Sequence, residues 1–162
     1  MQSDTPGGTG TPPKHDQAPS DPRGKAIVDR VLEEVGETVA DRDFVAFAAY
    51  LGLPYAVSTS ERREVIEDLA GLEKMYRRSI EYLNHDGVSE MCRRTVSATF
   101  VDVATIWALV ETRLVHFGSQ IRREPYFVHC ELYRRADKWL FTSRHYAISD
   151  DPLHMAALVP GP

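Results

Sequence analysis

Arg94, Thr112, His116 and Tyr126 are the polar side chains that a period-two reading places on the apolar side of long strand-like stretches between residues 88 and 148. In the second stretch Ile106, Ala108, Val110, Thr112, Leu114 and His116 share one side, and in the third Tyr126, Val128, Cys130 and Leu132 do. In the first, Cys92, Val96, Ala98 and Phe100 form the apolar set, and the alternation brings Arg94 with them. A guanidinium on an apolar surface is costly unless paired, because a buried charge loses its hydration. Arg94 therefore meets an acid from the helices, reaches the rim, or binds a carboxylate or other anionic group of a small ligand.

The opposite side carries Glu111, Arg113, His129 and Glu131 among Trp107, Leu109 and Phe127. A neutral imidazole beside a carboxylate makes a general base. More often such a row is cross-strand pairing on a solvated or subunit-facing sheet. So much aromatic area seldom stays exposed on a monomer, which points to a homodimer through this face.

The elements that must position these residues can be read from periodicity and punctuation. Residues 1–22 are Gly, Pro, Ser, Thr, Asp and Gln with no apolar run, a composition that predicts a disordered tail and excludes a signal peptide. A helix follows from Pro22, capped by Ser20 or Asp21, with Ile27, Val31, Val35 and Val39 at four-residue spacing. Asp41 is expected to cap a short second helix carrying Phe44, Phe47, Ala48 and Leu51, stopped by Gly52 and Pro54. A strand over 53–59, a short partner over 63–66 and a third helix over 68–84 come next. Four long strands are then expected over 88–101, 104–117, 122–135 and 138–148, paired sequentially and antiparallel through turns at Asp102, Gly118-Ser119 and Ala136-Asp137. The domain is thus placed at 23–150, with a C-terminal tail over 151–162.

Composition narrows the function classes. The 162 residues, 43% hydrophobic and 27% charged, suit one soluble globular domain. A formal charge of −5 argues against sequence-independent nucleic-acid binding. The five Arg-Arg pairs do not reverse this, since neighbours in a strand face opposite sides. Cys92 and Cys130 lack metal-ligand spacing and read as free thiols in a reducing, cytoplasmic protein. No segment is apolar for long enough to span a membrane. No metal or cofactor is expected.

The order helix, helix, short strands, long helix, four long strands resembles the nuclear transport factor 2-like superfamily, also called SnoaL-like. The likeness covers nearly all of residues 24–150. It is carried by Asp43-Phe44-Val45-Ala46-Phe47 leading through Leu53-Pro54-Tyr55, and by the hairpin from Leu132 through Ala136-Asp137 to Trp139. The resemblance implies an α+β fold with three N-terminal helices packed in the concave face of a strongly curved, mostly antiparallel sheet, a cystatin-like cone. It also implies faces for the last strand, where hydrophobicity alone is ambiguous between Trp139 with Phe141 and Leu140 with Tyr146 and Ile148. By likeness to the kinase association domain of that superfamily, Leu140, Thr142, Arg144 and Tyr146 turn inward, while Trp139, Phe141, Ser143 and His145 join the outer, dimer-forming face. A β-bulge in any strand would invert such assignments beyond it.

The expected ligand-binding set is therefore Arg94, Thr112, Tyr126, Thr142, Arg144 and Tyr146, and the ligand a small apolar molecule with an anionic or carbonyl group. Members of the superfamily also include lyases, isomerases and polyketide cyclases, and the β-subunits of ring-hydroxylating dioxygenases. Isomerase-like chemistry needs a carboxylate base in an apolar pocket, and no inward strand position supplies one except Asp102, which sits in a turn. The remaining catalytic candidates are Asp43, which a helix N-terminus also explains, and His116 with Tyr126 or Tyr146.

Overall fold

Asp21, Asp43, Asp68 and Asp151 each stand one residue before a helix and accept a hydrogen bond from a backbone N–H of its first turn. The helices they start are α1 (Pro22–Ala40), α2 (Phe44–Ala48), α3 (Leu69–His85) and α4 (Pro152–Leu158). The computed structural model describes residues 19–117, 124–149 and 151–160. The tail expected over 1–22 thus falls mostly on residues outside the described ones, as does the turn at Gly118-Ser119.

Two boundaries differ from expectation for local reasons. Asp41 ends α1 and Asp43 caps α2, while Leu51 already belongs to β1 (Leu51–Thr59). The segment expected as a C-terminal tail forms α4, because Asp151 and Pro152 supply an N-cap and a first-turn proline, and Met155 and Leu158 then bury. No helix among the described residues is long and apolar enough to cross a membrane.

The remaining strands are β2 (Arg63–Ile66), β3 (Val88–Asp102), β4 (Thr105–His116), β5 (Tyr126–Arg135) and β6 (Lys138–Ala147). They form one sheet in the order β2-β1-β6-β5-β4-β3, antiparallel except where β1 runs parallel to β6. The β5–β6 hairpin turns at Ala136, whose φ of 53° lies in the left-handed region. α1, α2 and α3 cover one face, and Val28, Leu72, Ile106, Leu132 and Phe141 fill the space between with essentially no solvent access. Burying each such side chain contributes about 1.5–3 kcal/mol.

Two bulges decide which residues face this core. Between Thr95↔Val110 and Ser97↔Leu109, Val96 has no partner, so the inward parity of β3 changes there. Ala98 and Phe100 face in beyond the bulge, whereas Met91, Arg93 and Thr95 face in before it, opposite Leu114, Thr112 and Val110. Between Glu131↔Ser143 and Leu132↔Phe141, Thr142 is the extra residue, so Phe141 and Arg144 both face in.

These bulges correct the strand-face expectations. Arg94 is on the outer side, 71% exposed at its side chain and 3.4 Å from Glu111. Cys92 is exposed as well. Thr142 donates to Glu131 Oε1 at 2.8 Å, on the outer side, and Leu140 pairs with outward Tyr133. Trp139 and Phe141 leave the expected dimer face and bury, Trp139 edge-on to Phe100 with ring centroids 6.1 Å apart.

Candidate functional site

At the end of the core away from Trp139, the helices and sheet enclose a cavity of about 90 Å³. One ordered water needs only ~10–15 Å³, so the space admits a small molecule. Its walls are mostly apolar: Leu32 and Val35 from α1, Phe47 from α2, Met75 and Ile80 from α3, Val110 and Val128 from the sheet. Set into them are Arg93, Thr112, Tyr126, Cys130, Arg144 and Tyr146 from four adjacent strands, and His154 from α4.

The strand register explains why these polar groups meet. Arg93 pairs with Thr112, Thr112 with Tyr126, Tyr146 with Val128, and Arg144 with Cys130, so all occupy one inward band across β3, β4, β5 and β6. α1 makes room for the longest of them. A Cβ on Gly36 would lie 2.6 Å from Arg93 Nη2, so only glycine lets that guanidinium lie against the helix.

Arg144 is 9% exposed, its Nη2 is buried without a hydrogen-bond partner, and its Cζ sits 3.9 Å over the Phe141 ring. The groups around its charge are Tyr55, Tyr146 and Cys130. Arg93 has no ion-pair partner among the described residues, and no Asp or Glu is among the described residues lining the cavity. Burial, and then the charge of Arg144, holds the Arg93 guanidinium down at about 10, still cationic at neutral pH.

Two of the other polar groups are held in their neutral forms. Burial pushes the Tyr126 phenol well up, with Tyr146 beside it adding to the effect, and pushes the Cys130 thiol up to about 11. Tyr126 packs 6.4 Å from Tyr146 and edge-on to His154 at 5.3 Å between centroids. His154 in turn stacks on Tyr82 at 4.4 Å, and the Tyr82 hydroxyl donates to Asp151. α4 thereby closes one side of the cavity.

The expected site residues divide accordingly. Thr112, Tyr126, Arg144 and Tyr146 line the cavity. Arg94 and Thr142 do not, for the reason the bulges give. Asp43 is an exposed helix cap bonded to Ala46 N at 2.9 Å. His116 is buried at the end of β4 with Nε2 2.7 Å from Asp86 Oδ2, outside the cavity wall. Arg93 and His154 are the additions. Among the described residues no cluster of His, Cys, Asp and Glu could hold a metal.

No family model and no curated protein matches this sequence. Solved structures do match. A cystatin-like protein of unknown function from Nostoc punctiforme aligns over 84% of this chain and 99% of its own, at TM-score 0.61 and 12% identity. A nuclear transport factor 2-like protein of unknown function from Shewanella oneidensis covers 76% of this chain and 98% of its own, at TM-score 0.58 and 12% identity. This chain has the nuclear transport factor 2-like fold. A third neighbour, described as a calcium/calmodulin-dependent protein kinase type II association domain from Thiobacillus denitrificans, covers 75% of this chain and 94% of its own, at TM-score 0.60 and 12% identity. At such identities the likeness speaks for the nuclear transport factor 2-like cone and not for an activity.

Proposed function

We propose that the cavity binds a small, largely apolar molecule through an anionic group held between Arg93 and Arg144. The observation that carries this reading is the buried, unpartnered Nη2 of Arg144 in a cavity that a second arginine also lines, with no acid among the described cavity residues. Buried cations without partners are expensive, and an incoming anion supplies the missing partner with charge-assisted hydrogen bonds. Thr112, Tyr126 and Tyr146 offer hydroxyls to orient that group, and the apolar wall takes the remainder. The Tyr126 phenol and the Cys130 thiol keep their protons at neutral pH, so both stand as hydrogen-bond donors to that group.

Thermal unfolding with a panel of benzoate, phenylacetate and hexanoate beside the matching amides and alcohols tests this. Acids should raise the melting temperature with concentration, as any ligand selective for the native state does, and the neutral analogues should not. Equal shifts from acids and neutral analogues would remove the anion from the account.

We further propose a homodimer through the outer sheet face. Trp107 is 59% exposed there and Phe127 40%, with half-buried Leu109 between strands and exposed Tyr133 beyond. An aromatic patch of this kind favours a covering partner, and Glu131, bonded to Trp107 Nε1 at 3.0 Å, fixes the indole's orientation.

A further inference from the structure

The number of charges in the cavity restricts the ligand more narrowly than the presence of an arginine does. Two guanidinia stand on one inward band, on strands separated by β4 and β5. Both keep their protons at neutral pH. The carboxylates at this end of the fold already have partners of their own. Asp86 faces His116 at 2.7 Å, and Asp151 takes the Tyr82 hydroxyl and caps α4 at His154 N. Tyr126 and Cys130, both pushed up by burial, bring dipoles but no negative charge. A monoanion entering here neutralises one guanidinium and leaves the other uncompensated in a largely apolar cavity, whereas two negative charges on one group leave none.

We propose that the ligand's head group is dianionic: a phosphoryl group, or two carboxylates on one carbon, attached to an apolar body. This rests on the binding reading given above. The head group lies between Arg93 and Arg144, each presenting a planar fork of donors to its oxygens, while Thr112 and the tyrosine hydroxyls orient it. Gly36 belongs to the same device, since its missing side chain keeps the Arg93 guanidinium back against α1 and leaves the gap between the two cations open.

The test uses matched probes on the full-length protein. Phenyl phosphate and phenyl sulfate share body and tetrahedral geometry but differ in charge at pH 7.5, because the second phosphate proton leaves near pH 6. Phenylmalonate and phenylacetate form the same comparison for carboxylates. By calorimetric titration the dianion should bind at least ten-fold tighter than its monoanionic partner in one of the two pairs, and the pair that shows it names the source. In the phosphate pair the advantage should collapse at pH 5, where the phosphate regains its proton and the sulfate does not. Arg93→Gln should bring the ratio near one. Equal affinities within both pairs overturn the dianion while leaving an acid site in place. No binding by any of the four removes this inference together with the reading it rests on.

Discussion

The Arg144 guanidinium lies 3.9 Å above the ring of Phe141, three residues earlier on the same strand. In a regular strand, residues three apart point to opposite faces. The extra residue Thr142 turns both inward, so the ring that fills the core also holds the cation at the cavity wall. A cation over an aromatic face is attracted by about 0.5–2 kcal/mol, which offsets part of the cost of burying Arg144.

Phe141→Leu should therefore have two effects. Removing a fully buried ring for a smaller side chain should cost about 1–3 kcal/mol in denaturant unfolding. It should also weaken acid binding several-fold, because Arg144 loses its support. Lost stability with unchanged affinity would show that the ring does not position the guanidinium.

Gly36→Ala separates stability from binding in the other direction. Inside α1, alanine favours the helix over glycine by about 0.8–1 kcal/mol, and the only close atom in the way is the movable end of Arg93. Thermal unfolding should show an unchanged or higher melting temperature, while the affinity for acids falls as Arg93 is displaced into the cavity. A variant that binds as wild type does would show that Arg93 needs no space at Gly36.

The two thiols should differ in reactivity. Cys92 is exposed, whereas burial keeps the Cys130 thiol protonated up to about 11. A thiol reagent at pH 8 should label Cys92 and leave Cys130 until the protein unfolds. Because the folded value is raised, the stabilising effect is complete below the unfolded thiol value, about 8.5, and is lost as pH rises through about 11. The stability difference between wild type and Cys130→Ala should shrink over that window. A difference constant from pH 8 to 11 would argue against a buried thiol.

Trp107→Glu places a charge in the middle of the exposed aromatic patch. Sedimentation should find wild type as a dimer and this variant as a monomer of unchanged fold by circular dichroism. A monomeric wild type would end the dimer proposal.

Much of this architecture was legible from periodicity and capping. Asp21 before Pro22 and the alternation of β4 and β5 are local signals, and the structure follows them. The kinase-domain likeness placed Arg144 and Tyr146 on the inner side, where they are. Failures occurred where one inserted residue changes parity. Arg93-Arg94 guarantees one inward arginine in any register, but the bulge at Val96, which selects Arg93, leaves no mark in the alternation of small and polar residues around it. The bulge at Thr142 likewise sent Trp139 and Phe141 inward against the expected dimer face. His154 was missed for a different reason. Asp151-Pro152 followed by Leu153, Met155 and Leu158 is a short cap-and-stripe pattern that was passed over as a tail, and only tertiary packing against Tyr82 gives it a place at the cavity.

The binding account rests most directly on Arg144, and calorimetric titration of phenylacetate and phenyl phosphate into wild type and Arg144→Met measures its role. Methionine keeps much of the volume and removes a buried cation that has no acidic partner among the described residues, so the empty variant should be as stable as wild type or more so, by up to ~1–4 kcal/mol. We expect wild type to bind at least one of the two probes and the variant to bind it at least ten-fold more weakly. Equal affinity in the two proteins, or no binding to wild type by either probe, would contradict an anion site at Arg144.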